Sequence, residues 1–327
     1  MVVLTEMQQR QSYEQTKSFL LAKMASYHMR SISFPPRSNP SALKVEEELN
    51  NLKFTWEALS ASTISCISKT IQLGLVGLID LYNCVDDLIN LPLTQQSLLN
   101  HRHEKLVEEV IDESVRLLDV CVVAREFLLM MKEGGQDLQS ALRRKSGGES
   151  SIEANVKAYI RLRKLVKKDV NKCLDGALKR VMINDKVISS PLLDQDQHLS
   201  VVVGLLREVS LISVSIFQSL FLFISAQPSK PSSSRWSLVS KMMHKGKIVC
   251  SDIQEDGNEV SSADLSVQAI CEQVSSKDGQ VQRRVMQMAQ KRLKGLEISM
   301  EAIEEGVACM YQRLIKTRVT LLNIFTH

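Results

Sequence analysis

Turn-forming residues are what this 327-residue sequence has least of: it holds 13 glycines and 7 prolines, and aromatic side chains make up only 5%. A strand-rich fold needs turn signals roughly every 8–12 positions, and long stretches here carry none. Scarce glycine also leaves little from which to build a phosphate-cradling loop. No nucleotide-binding glycine motif, HExxH helix, Gly-x-Ser-x-Gly elbow or kinase signature occurs. The seven cysteines, Cys66, Cys84, Cys121, Cys173, Cys250, Cys271 and Cys309, stand far apart and form no CxxC pair. That spacing argues against a disulfide framework or a structural zinc site, and for reduced thiols in an intracellular protein. A charge excess is missing as well, with 41 basic and 37 acidic residues and a net charge of +4, so no global polyelectrolyte role is implied. Met1 to Lys23 lacks the apolar core of a secretory signal. These shortages point to a non-enzymatic protein with no metal and no cofactor.

What is present is helical periodicity. Val45, Leu49, Leu52 and Trp56 recur at one-face spacing, and the run from Ile64 to Leu91 adds Ile67, Ile71, Leu75, Leu78, Leu81, Val85 and Leu88. Pro92 should stop that run, with Thr94 capping the next short helix. His101 to Met131 continues through Leu106, Val110, Val115, Leu118 and Val122 until Gly134 and Gly135, which should weaken or bend it. Ser151 is placed to cap a helix reaching about Val181, and Val201 to Ala226 reads as a strongly apolar helix. Gln280 to Asn323 has the cleanest pattern: Met286, Ala289, Leu293, Leu296, Met300, Ile303, Val307, Met310 and Leu314 alternate by three and four. This is the seam of a coiled coil or antiparallel bundle, expected to pack on the 64–91 and 201–226 helices. Residues 146–151, 227–234 and 251–262 read as linkers, and 1–40 as an extended, disordered arm before a helical domain over 41–327. The expected fold is all-α, a multi-helix bundle with long antiparallel helices.

The arm carries Arg30-Ser31-Ile32-Ser33-Phe34-Pro35. Arg30, Ser31, Ser33 and Pro35 match the pattern that 14-3-3 proteins read once the second serine is phosphorylated. A phosphoserine supplies nearly two charges to an arginine cluster, and the proline turns the peptide away. Arg30 also suits a basophilic kinase, as do Arg143 and Arg144 ahead of Ser146. The alternative is a short chance match in a disordered arm. No acid lies between Glu14 and Glu46, a composition shared by plastid or mitochondrial import sequences and by plain basic arms.

Lys157, Arg161, Lys164, Lys168 and Lys172 fall at offsets 0, 4, 7, 11 and 15, a narrow helical stripe opposite Tyr159, Leu162, Val166, Cys173 and Ala177. Such a stripe is either a solvated face or a contact for anionic lipid or an acidic partner. It has no interleaved aromatics, so nucleic acid is not expected. Val209 to Ser229 contains no charge over 21 residues, long enough to span a bilayer. Its six serine and glutamine side chains from Ser210 to Ser225 favour a buried core helix, with membrane association the alternative. Asp86 and Asp87 are neighbours and diverge by about 100° on a helix, as His101 and His103 also diverge, so neither pair converges on an atom or a metal.

Several longer phrases occur in one order: MASYHMRSISFP (Met24 to Pro35), DLYNCVDDLINLPLTQ (Asp80 to Gln95), RLLDVC (Arg116 to Cys121), LQSALRR (Leu138 to Arg144), WSLVSKMMH (Trp236 to His244) and LIKTRVTLLNI (Leu314 to Ile324). In these the chain resembles the BYPASS-related plant proteins, domain of unknown function 241, from Met24 onward. The resemblance implies a role in root and shoot development without an assigned reaction, and makes Met1 to Lys23 an upstream extension. With the missing catalytic motifs it points to an interaction or adaptor protein, cytoplasmic or peripheral at a membrane. The alternative is a peripheral membrane protein held by its basic helix face.

Overall fold

The seam from Ala289 to Leu314 is buried at every step its spacing predicts, with Met286 half-buried at its start. The computed structural model describes residues 39–61, 66–144, 149–178, 196–226, 258–273 and 279–326. Among them stand eight α-helices: α1 (Pro40–Ala61), α2 (Ile67–Ile89), α3 (Pro92–Asn100), α4 (Lys105–Arg143), α5 (Glu149–Cys173), α6 (Gln197–Ser225), α7 (Glu259–Gln273) and α8 (Gly279–Thr326). The fold is all-α, as expected. A π-helical turn, Leu174–Leu178, extends α5.

Side-chain pairs fix how the long helices run. Arg318 donates to Ile111 O, Lys132 to Glu304 and Gln136 to Glu297. Rising numbers on α4 meet falling numbers on α8, so the two are antiparallel. On α2 the order rises with α8: Ser68 meets Ser299, Leu75 meets Gly306 and Asp86 meets Thr317. The principal neighbours of α8 are therefore α4 and α2, with α7 across its first half. The expected packing of α8 on α6 is at most slight, for α6 packs chiefly against α4, α2, α5 and α1. Helical spacing tells which face is buried but not which helix buries it.

Other boundaries differ for local reasons. Pro92 opens α3 at its first turn, where its missing N–H is an orphan anyway. Thr94 is not a cap; its hydroxyl lies 3.0 Å from His198 Nε2. His101 and His103 fall in the turn between α3 and α4, not on a helix. The Gly134-Gly135 pair does not interrupt α4, which is continuous through Arg143. A Cβ at Gly134 would lie 2.2 Å from Leu162 Cδ2, so this glycine makes room for α5. The buried line of α4 runs through Leu117, Cys121 and Ala124 and includes Glu113 and Ser114; Val122 is exposed. Ser151 lies inside α5, which starts at Glu149. The acidic linker ends early, because Asn258 and Glu259 already begin α7. The arm with Arg30, Ser31, Ser33 and Pro35, and the 227–234 linker, lie outside the described residues.

One helix cap is local and another comes from a distant part of the chain. Asp196 Oδ1 accepts from Leu199 N at 2.9 Å, an N-cap for α6. Glu259 accepts from the Ser68 backbone N–H at 3.3 Å, the Ser68 hydroxyl at 2.6 Å and the Cys66 thiol. A carboxylate is thus set where the N-terminus of α2 favours negative charge.

Candidate functional site

Helix α5 presents two faces of opposite use. Val156, Tyr159, Arg163, Val166 and Val170 are buried at spacings of three and four, one step from the expected apolar face. Leu162 and Cys173 are half-buried beside them. Lys157, Arg161, Lys164, Lys168 and Lys172 are all exposed. They extend over about 22 Å at 1.5 Å per residue. The structure brings the five predicted stripe residues together on one surface.

The buried side holds this surface in place. Arg163 Nε lies 2.8 Å from Asp264 Oδ1, and Nη2 lies 3.0 Å from Oδ2. Nη1 donates to Ile224 O at 2.9 Å and reaches Met131 Sδ at 3.1 Å. One guanidinium therefore joins α5 to α7, α6 and α4. Its contact with Ile224 O falls in the last turn of α6, where carbonyls have no helical partner and a cation is favoured. Tyr159 donates to Asp264 Oδ1 at 3.2 Å; burial, then the Asp264 charge, pushes this phenol up. Sequence reasoning missed Arg163. Its signal was an arginine on the Val156-Tyr159-Val166-Val170 line, where an unpaired cation would not be buried.

Charge pairing along the stripe is uneven. Lys157 meets Glu153 at 2.5 Å and Lys172 meets Asp169 at 2.7 Å. Arg161, Lys164 and Lys168 have no anionic partner among the described residues. Leu165, 49% exposed, lies among them. Lys167, on the flank, sits 3.7 Å from Asp264. Among the described residues, the middle of the stripe is a line of cations without anionic partners around one exposed aliphatic side chain.

The other candidates resolve into structural parts. Asp86 is buried, accepting from Thr317 Oγ1 at 2.5 Å with the Lys316 ammonium 3.1 Å away. Asp87 points outward to Lys44 at 3.2 Å. The two carboxylates diverge as expected, one docking α8 and one facing solvent. His101 Nδ1 lies 2.9 Å from Ser97 O, and Arg102 Nε donates to His103 Nε2 at 3.1 Å. No cluster of three or more metal-ligating side chains occurs among the described residues. An open cleft between Asn90, Pro92, Gln95, Gln96, Thr320 and Asn323 is lined by uncharged side chains. Helix α6 is long and apolar enough to cross a membrane by length and composition. Here Val209, Ile212, Ile216, Phe217, Leu220, Phe221 and Ile224 are buried between its neighbours. Arg143 and Arg144 are exposed at the end of α4, and Ser146 lies outside the described residues.

A family model described as Protein BPS1 matches residues 74–324, from the first turns of α2 nearly to the end of α8. No curated protein and no solved structure matches the chain.

Proposed function

Because this chain belongs to the BPS1 family, the BYPASS-related plant proteins, we propose that it acts in root and shoot development as a non-enzymatic interaction protein. The observation that carries this reading is the line of Arg161, Lys164 and Lys168, exposed and without anionic partners among the described residues. The helix beneath is anchored by Arg163 and Asp264. A line of cations on an anchored helix, unpaired with acids among the described residues, suits an acidic protein surface, whose approach it steers and whose register it fixes. Phosphorylated Ser33, read by a 14-3-3 protein, is a second, separable docking element. The action is intracellular.

Leu165 supports a second reading. An exposed aliphatic residue between cations suits the headgroup region of an anionic bilayer. One variant tests both. Arg161→Glu, Lys164→Glu and Lys168→Glu together should remove partners recovered from plant tissue with the tagged full-length chain, leaving anionic vesicle binding absent in both forms. An unchanged partner set would sink the acidic-partner reading. Vesicle binding by the wild type that the triple variant loses would install the lipid reading in its place.

A further inference from the structure

Helix α8 carries a second seam on the side away from the core. Val281, Arg284, Met288, Lys291, Gly295 and Ile298 follow one another by three, four, three, four and three residues, and all are exposed. Met288 is 54% exposed and Ile298 58%. The line is about 25 Å long at 1.5 Å per residue. From Gly279 to Leu296 the chain holds Arg283, Arg284, Lys291, Arg292 and Lys294 and no acid. Arg292 is spent on Ser262 O and Lys294 on Glu297. Arg284 and Lys291, on the seam itself, have no anionic partner among the described residues. A Cβ at Gly295 would meet nothing within 4 Å, so a second backbone can come close there.

We propose that this face of α8 docks one amphipathic helix of a partner protein, aliphatic along its own seam and acidic at its flanks. The three-four spacing is that of knobs-into-holes packing, in which aliphatic residues interdigitate and flanking charges choose the partner. Cations at alternate steps of the line, with no acid among them, make glutamate or aspartate the complement. A bilayer is the weaker fit. Interfacial helices hold on through a broad apolar face with Trp, Phe or Leu, and this one offers a narrow line with no aromatic residue. The inference rests on the interaction role above, but it uses a different helix face, so the two can fail separately.

The test uses the full-length chain and two labelled synthetic helical peptides of about three heptads. Both have leucine seams; one is flanked by glutamate, the other by lysine. The glutamate peptide should bind and the lysine peptide should not. Met288→Glu with Ile298→Glu should weaken that binding at least about tenfold, roughly 1.4 kcal/mol. Arg284→Glu with Lys291→Glu should reverse the preference, so that the lysine peptide now binds; a merely misfolded variant would bind neither. All four positions are exposed, and circular dichroism checks that the fold is kept. The proposal is overturned if the glutamate peptide does not bind, or binds all variants alike. It is equally overturned if only phosphatidylserine vesicles bind in a Met288- and Ile298-dependent way. Loss of peptide binding in the Arg161, Lys164 and Lys168 variant would move the contact to α5 and overturn it too.

Discussion

The guanidinium of Arg163 meets the carboxylate of Asp264 through two side-by-side contacts, 2.8 Å from Nε and 3.0 Å from Nη2, although the residues are 101 positions apart. This pair closes α7 onto α5, and the remaining nitrogen of the fork reaches the end of α6. Its geometry is the bidentate one that lysine cannot reproduce.

Removing one partner from such a pair leaves a carboxylate with little water and only the Lys167 ammonium, 3.7 Å away and partly in solvent. Arg163→Ala should therefore lower the unfolding free energy by about 3 kcal/mol, the low end for a buried pair because Asp264 keeps some solvent contact. Replacing both, Arg163→Met with Asp264→Leu, should recover most of that loss. Guanidinium unfolding curves measure both; a single-variant loss under about 1 kcal/mol would show the pair to be incidental.

Two glycines on long helices should respond in opposite directions to alanine. At Gly74 a Cβ would fall 2.7 Å from Trp56 Cζ3 and 3.3 Å from Ile216 Cγ2, and the indole is held by its bond to Ser215. Overpacking outweighs the gain in helix propensity, and Gly74→Ala should destabilise by about 1–2 kcal/mol. At Gly204 nothing lies within 4 Å, and alanine should stabilise by up to about 1 kcal/mol. Thermal unfolding of the two variants side by side gives the signs.

Glu113 sits buried in the face that α4 turns to α6, with one carboxylate oxygen lacking a hydrogen-bond partner. Burial pushes its pKa above the ordinary 4.5; the Arg207 and Arg116 charges and the Ser210 hydroxyl pull it back. The folded state thus holds this proton more tightly than the unfolded state does. Stability from this group is present below pH 4.5 and is lost as pH rises from there through the raised folded value. Glu113→Gln removes that slope. Its advantage over the wild type should grow with pH across that window and then level off, measured by denaturation at stepped pH; an advantage independent of pH would reject the assignment.

Ser33 belongs to a sequence motif and is tested as one. Phosphorylated full-length chain should retain a recombinant 14-3-3 protein, and Ser33→Ala should lose it while Ser31→Ala keeps it. Arg30→Ala should reduce both phosphorylation by a basophilic kinase and retention, since the guanidinium serves each step. Equal retention by the Ser33→Ala protein would dismiss this site.

What could be read in the sequence was decided by water. Ala289 to Leu314 and Val45 to Trp56 announce their buried faces because apolar residues recur with the helical period. Lys157 to Lys172 announce the exposed one. Where a polar residue is buried the reading slips: Glu113 and Ser114 displaced the expected face of α4 toward Val122, and the buried Arg163 was not singled out at all. Where the deciding contact is distant, no local pattern can supply it. Gly134 reads as a helix weakness until Leu162 is brought against it from α5, and the α2 cap comes from Glu259, 191 positions beyond Ser68.

The end of α6 has a further consequence, for chain connectivity. Ala226 turns into the left-handed conformation at φ 54 and closes the helix, and Asn258, where the described chain resumes, donates to Phe223 O at 2.9 Å. The two feet of the intervening stretch are thus clamped within a single turn of each other by bonds that belong to the bundle. The entropy of joining two fixed feet grows only slowly with the length of chain between them, so the junction of α6 with α7 is held by the bundle and not by the number of residues that joins it.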